Sequence, residues 1–179
     1  PRADVRKLRE DMLEEKDIKK IFRECGPKTE ILIRVLYQTA ARVSEAVNIQ
    51  LNDCEIMDGG VKVRLRAEHA KRNKERFVFM KIETFKRVKE LYQGKKFLFE
   101  TSGRAMSRFT AYALIRRAGE KIKKTISPHV LRHSWASNRI GELGLASVSE
   151  YLGHADKSTT AKYYLHDMPS MGDVLGGDI

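Results

Sequence analysis

Cysteine, proline and glycine are all scarce in this sequence. Its two cysteines, Cys25 and Cys54, make no disulfide framework; they read as reduced thiols of an intracellular protein. Four prolines and twelve glycines among 179 residues exclude collagen-like and mucin-like chains. No run approaches the roughly 20 apolar residues that cross a bilayer, and no signal-peptide apolar stretch opens the chain. Internal repeats and low-complexity segments are missing too. Negative charge falls short: 24 Asp and Glu stand against 35 Lys and Arg, for a net charge of +11. No carboxylate cluster of the kind a two-metal nuclease needs is present.

What is there points to a polyanionic partner. The positive excess favours nucleic acid over an anionic membrane surface. A length of 179 residues gives one domain with room for a real core. Residues 1–12 are polar, without apolar periodicity, and read as a linker or frayed start. From Leu13 the pattern turns helical. Ile18, Ile21, Phe22 and Cys25 share one helix face, and Gly26-Pro27 is expected to end that helix. A second helix is predicted from Thr29 to Ala41, with an apolar set wide enough for deep burial. A short helix follows around Ser44–Ile49. Strands are expected at Glu55–Met57, Val61–Leu65 and Phe77–Met80, with Asp58-Gly59-Gly60 turning the first into the second. Helices resume at Ile82–Gln93, Ser107–Lys123, Pro128–Leu143, Ala146–Tyr151 and Thr159–Leu165. The fold class is mainly α with a small antiparallel three-stranded β-sheet. Met168–Ile179 holds three glycines and no basic residue, and reads as a loose tail unless a partner orders it.

The cations are clustered. Val61–Arg76 carries seven basic residues and two acidic ones, and Arg104–Lys124 carries seven and one. Such runs are commonly just solvated faces. Their coincidence with the net charge, and with Phe77, Phe109 and Tyr112, favours phosphate contact.

Four segments carry chemistry. In Ala41-Arg42-Val43-Ser44-Glu45, Arg42 can offer a bidentate fork to a phosphate. Glu45 can clamp that arginine, cap the helix, or form an ordinary i, i+3 pair. The loop His69–Arg76 places Lys71 where its ammonium can protonate a leaving oxygen, although a basic hairpin loop is the plainer reading. Ser127 and Pro128 are the N-cap and first residue of a helix, so His129 and Arg132 share a face at its positive end, suited to a scissile phosphate. His129 and His133 lack the glutamate of a zinc-protease motif, so no metal is expected. In Leu152–Tyr164, Gly153 allows a turn, His154 follows it, and two tyrosines sit on the next helix. A phenol attacks phosphorus only when cations activate it and hold the target in line. Two arginines, two histidines, one lysine and one tyrosine form a set for transesterifying a phosphodiester without a metal or other cofactor.

In the order and separation of these motifs, from about Leu13 to His166, the sequence resembles the catalytic domain of the tyrosine recombinase (phage integrase) family, which includes the Xer recombinases. The resemblance implies that Arg42 is the first catalytic arginine, with Glu45 as its structural support. Lys71 is similar to the β-hairpin lysine that protonates the 5′-oxygen, with Lys74 as the fallback. His129 and Arg132 look like the His-x-x-Arg pair, and His154 resembles the second, phosphate-supporting histidine. Tyr163, nine residues beyond His154, takes the nucleophile position in preference to Tyr164. It would form a 3′-phosphotyrosyl link and release a 5′-hydroxyl.

The sequence departs from the family at Ala40, where glycine is usual, and at Ala70 and Arg72, where glycines usually flank the lysine. The implied partners are double-stranded DNA and further copies of the chain, as a dimer or tetramer on that DNA. DNA contacts are expected from Arg72, Lys74, Arg108, Tyr112 and Arg116. The implied setting is cytoplasmic, in a prokaryote, virus or plasmid element. Residues 13–167 are then the catalytic domain, and residues 168–179 a tail for a possible contact between protomers. The N-terminal domain that relatives carry has no room in this chain. A type IB topoisomerase-like enzyme and a catalytically silent DNA-binding module are the alternatives.

Overall fold

The widest apolar stripe in the sequence becomes the helix at the centre of the molecule. The computed structural model describes residues 12–69, 75–153 and 171–176. Helix α1 (Glu15–Glu24) buries Ile18 and Ile21 and packs against a later helix, α5 (Arg108–Ile122). Asp17 closes the first turn of α1 by accepting from the Glu14 N–H (3.1 Å) and pairs with Lys124 Nζ (2.7 Å) just beyond α5. Helix α2 (Pro27–Thr39) is the core element: of residues 31–39, all but Arg34 are buried. The sequence places a stop at Gly26-Pro27, and the stop is also a start. Proline fits the first helical position, where no N–H is needed, so α2 begins at Pro27 itself.

After α2 come the short α3 (Val43–Ala46) and the sheet. Strands β1 (Cys54–Met57), β2 (Gly60–Leu65) and β3 (Arg76–Met80) form an antiparallel sheet in the order β1-β2-β3. Register Val61↔Met80, Val63↔Val78 and Leu65↔Arg76 puts one set of side chains inward. Val61, Val63, Leu65, Val78 and Met80 are accordingly buried, as a period of two requires. Helix α4 (Ile82–Tyr92) packs on α2.

A small hairpin, β4 (Glu100–Thr101) with β5 (Arg104–Ala105), escapes the sequence reading. Its strands are too short to show periodicity. Its turn is marked instead by Ser102 and Gly103, both at positive φ (52° and 74°).

Ser107 and Ser127 cap α5 and α6 (Pro128–Tyr151) as expected, accepting from the N–H groups of Thr110 (3.0 Å) and Val130 (3.2 Å). The α6 span contains a break at Gly144 (φ 77°), so it is two helices, matching the expected pair Pro128–Leu143 and Ala146–Tyr151. The tail differs from the loose end the sequence suggests. Residues Met171–Leu175 form α7, and Val174 is buried in the chain's own core beside β3. The expected helix Thr159–Leu165 lies outside the described residues.

Candidate active site

The junction between α2 and α3 builds the first half of the site. Ala40 ends α2 in the left-handed conformation (φ 46°, ψ 26°). This is the backbone conformation that glycine adopts most readily at a helix end. The turn makes Arg42 the N-cap of α3. Glu45 both clamps and caps: its Oε2 accepts from the Arg42 N–H (2.7 Å), and its Oε1 accepts from Arg42 Nη1 (3.1 Å).

A residue that the motif reading passes over completes this contact. Arg76 opens β3 and forks onto the same carboxylate, Nη1 to Oε1 at 2.7 Å and Nη2 to Oε2 at 2.8 Å. The sequence does hold a signal for it. Arg76 shares the parity of Val78 and Met80 on β3, so period two turns it toward the buried face. Burial alone would raise the Glu45 carboxyl. The Arg76 hydrogen bonds and charge, with the N–H and charge of Arg42, outweigh that and hold it below the ordinary carboxylate range.

The start of α6 builds the second half. Pro128, His129 and Arg132 sit in its first turns, with His129 exposed and Arg132 buried. Arg132 donates Nη1 to the Ala40 carbonyl and Nη2 to the Leu152 carbonyl (2.5 Å). Burial, then the charges of Arg76 and Arg42, push its guanidinium down to about 9. Removal from water is the main cause, and the two neighbouring guanidiniums add to it.

These parts face one open cleft of about 770 Å³. Arg42, Val43 and Ser44 of the α2–α3 junction line it, as do Pro128, His129 and Arg132 at the start of α6. Arg108, Phe109 and Tyr112 of α5 also line it, and Glu68 comes from the 3-10 turn Ala67–His69. The chain thus brings together Arg42, Glu45, His129 and Arg132, with Arg108 and Tyr112 beside them. Arg116 lies further along α5, outside the cleft lining, exposed and paired with Glu120 (3.2 Å). Lys71, Arg72, Lys74, His154, Tyr163 and Tyr164 lie outside the described residues. Among the described residues, no group of three His, Cys, Asp or Glu side chains is placed to hold a metal. No helix of the described residues is long and apolar enough to cross a membrane.

The hairpin's charge is less available than its composition suggests. Arg64 and Arg66 both turn onto the buried Asp53, at 2.9 Å each. Lys62 lies over the Phe77 ring (4.5 Å), and Arg76 is spent on Glu45. On the described part of this run, the arginines expected to contact phosphate are already paired with carboxylates, with Arg64 still 42% exposed. The side chains pair inward because two buried carboxylates require counter-charges.

Two arginines, a histidine at a helix N-terminus and a buried carboxylate that fixes one of the arginines give the cleft a positive end able to receive an anion. The sequence profile of the phage integrase family matches residues 11–170, and the chain belongs to that family. It is 34% identical over 167 residues to the tyrosine recombinase XerD of Staphylococcus aureus, covering 85% of this chain and 54% of that protein. The chain spans about half the length of the curated relatives it matches. Among solved structures, XerA recombinase superposes with a TM-score of 0.69 at 27% identity, over 87% of this chain and 59% of that one. A λ integrase tetramer bound to a Holliday junction superposes with a TM-score of 0.66 at 17% identity, over 85% of this chain and 47% of the other. The fold is that of a tyrosine recombinase catalytic domain.

Proposed function

We propose that this chain is the catalytic part of a site-specific DNA recombinase that cuts and rejoins strands through Tyr163. The observation that carries the reading is the convergence of Arg42 and Arg132, from motifs 90 residues apart, on one cleft with His129. Arg42, Arg76 and Arg132 around the Glu45 carboxylate leave two positive charges in this cluster, and Arg108 and Glu68, which also line the cleft, offset each other. A phosphodiester carries one negative charge, and its pentavalent transition state two. The site therefore gains most in attraction as the reaction proceeds, which is the condition for catalysis rather than mere binding.

In this mechanism the Tyr163 phenol passes its proton to the His129 imidazole as its oxygen attacks the scissile phosphorus and the bond to the 5′-oxygen breaks. Lys71, or Lys74 in its place, gives that oxygen its proton. His129 and His154 support the non-bridging oxygens. One phosphodiester is exchanged for a phosphotyrosyl ester, so bond energy is conserved and ATP is not required. The guanidiniums supply the charge a metal would otherwise bring. A 5′-hydroxyl from another strand then attacks the phosphotyrosine and restores a phosphodiester. Double-stranded DNA is the substrate, and two or four copies of the chain act together on it. The solved λ integrase neighbour, a tetramer on a Holliday junction, supports that assembly.

A duplex nicked next to the scissile phosphate tests the reading, because loss of the short 5′ fragment traps the covalent intermediate. The expected result is a protein–DNA adduct that Tyr163→Phe abolishes and Tyr164→Phe does not. DNA binding without any adduct would overturn it in favour of a silent DNA-binding module. Sequence-independent relaxation of supercoiled plasmid would instead indicate a type IB topoisomerase.

A further inference from the structure

Arg76 belongs to none of the motif roles above, yet it bonds the carboxylate that fixes Arg42 and the carbonyl next to one that holds Arg132. Glu45 has a side chain wholly removed from solvent and must satisfy both oxygens internally. Arg76 supplies the parallel fork, at 2.7 and 2.8 Å. Arg42 is left with an edge contact, Nη1 to Oε1 at 3.1 Å, while its backbone N–H takes Oε2. Its side chain stays 24% exposed and lines the cleft, whereas that of Arg76 is 9% exposed.

The same guanidinium reaches the other half of the site. Arg76 Nε donates to the Tyr151 carbonyl (3.2 Å), next to the Leu152 carbonyl that takes Arg132. Gly153, at φ +65°, lies against the Arg76 stem. A Cβ at that position would stand 3.1 Å from Arg76 Cδ.

We propose that Arg76 is a positioning residue: by occupying both oxygens of Glu45, it keeps the Arg42 guanidinium open toward the scissile phosphate. The proposal rests on the transesterification reading above. Without Arg76, the buried carboxylate takes the nearest remaining fork, which is Arg42, and draws it out of the cleft. Arg76 also holds the turn at Leu152-Gly153 that leads into the segment of His154.

The test is the single-turnover rate of adduct formation on the nicked duplex, with the Kd for the same duplex and a thermal melt measured alongside. Arg76→Gln is expected to slow adduct formation by about 100-fold, the scale of a misplaced reacting group, with Kd little changed. Arg76→Lys, which restores the charge without the fork, recovers part of the rate. In a Glu45→Gln background no carboxylate remains to capture Arg42, so adding Arg76→Gln costs little more. A wild-type rate in Arg76→Gln, independent multiplication of the two effects, or a loss that tracks Kd or melting alone overturns the proposal.

If the unsubstituted chain forms no adduct, the transesterification reading falls by itself. The clamp is then decided in the free protein by the Nε–H NMR signal of Arg42. That signal is expected to move in Arg76→Gln and to return in the double variant; an unmoved signal rejects the clamp.

Discussion

Arg132 donates Nη2 to the carbonyl of Leu152 at 2.5 Å, so the first turns of α6 are bonded to the turn that leaves its far end. With its second bond to the Ala40 carbonyl, one buried guanidinium joins the α2 terminus, the α6 entry and the segment approaching His154. A charged side chain held this way is both a structural strut and a cation aimed at the cleft.

Replacing it with lysine keeps the charge and loses the planar fork. At least one buried carbonyl is then left without its donor, at about 1–3 kcal/mol. Arg132→Lys is expected to lower unfolding free energy by about 2 kcal/mol in urea melts. Adduct formation should fall by at least about 100-fold, the scale of losing a transition-state donor.

Acid should release the Glu45 clamp. The Glu45 carboxyl is held below its ordinary value of 4.5 in the folded chain. Its contribution to stability is therefore complete above that value and lost as pH falls through the lowered one. Melting temperature measured from pH 7 down to pH 3 should drop less steeply in Glu45→Gln than in the parent. Parallel curves would show that Glu45 does not drive the acid transition.

Tyr151 is a core tyrosine with a structural hydroxyl. It is fully buried, stacked on Trp135 (4.9 Å between centroids), and its hydroxyl accepts from the Phe79 N–H at 2.9 Å. Burial raises its phenol far above the ordinary range. Tyr151→Phe should still form the adduct, while losing about 1–2 kcal/mol of stability because a buried strand N–H loses its acceptor.

The available and the spent cations should separate in salt titrations of DNA binding. Arg108 lines the cleft, whereas Arg64 is committed to Asp53. Arg108→Ala should weaken binding and reduce the slope of log K against log salt by about 1. Arg64→Ala should leave the slope unchanged and show its cost in melting instead.

Ala40 tests why an alanine is tolerated at φ 46°. An L-residue there costs about 1–2 kcal/mol. Glycine removes that strain but loosens the unfolded chain by about 0.4–1 kcal/mol and gives up a buried methyl worth about 0.8 kcal/mol. Ala40→Gly should therefore stay within about 1 kcal/mol of the parent. Ala40→Val, which puts a β-branch in the left-handed region, should lose more than about 2 kcal/mol in the same urea melts.

Much of this molecule is local in origin, and those parts were legible. Ser127-Pro128 fixes the start of α6 because capping and a proline at the first position act within one turn. From that start, His129 and Arg132 fall on one face whatever surrounds them. Three strands with Asp58-Gly59 between the first two also follow from alternation and turn chemistry. The hairpin Glu100–Ala105 did not, because two-residue strands have no period to read. Nor did the burial of Val174, which depends on a surface of β3 nearly a hundred residues earlier.

The sequence by itself determined the family, the order of the main helices and of the three-stranded sheet, and the identity of the cleft's arginines. Each of these is carried by short motifs whose geometry is set within a few residues. The partner of each charge was decided only by the tertiary structure. Composition assigns the hairpin one basic run, but folding commits Arg64 and Arg66 to Asp53 and Arg76 to Glu45, leaving Arg42 to face the cleft. The reason is physical. A buried carboxylate must find its counter-charge wherever the packed chain delivers one, and that place is fixed by contacts between residues far apart in sequence.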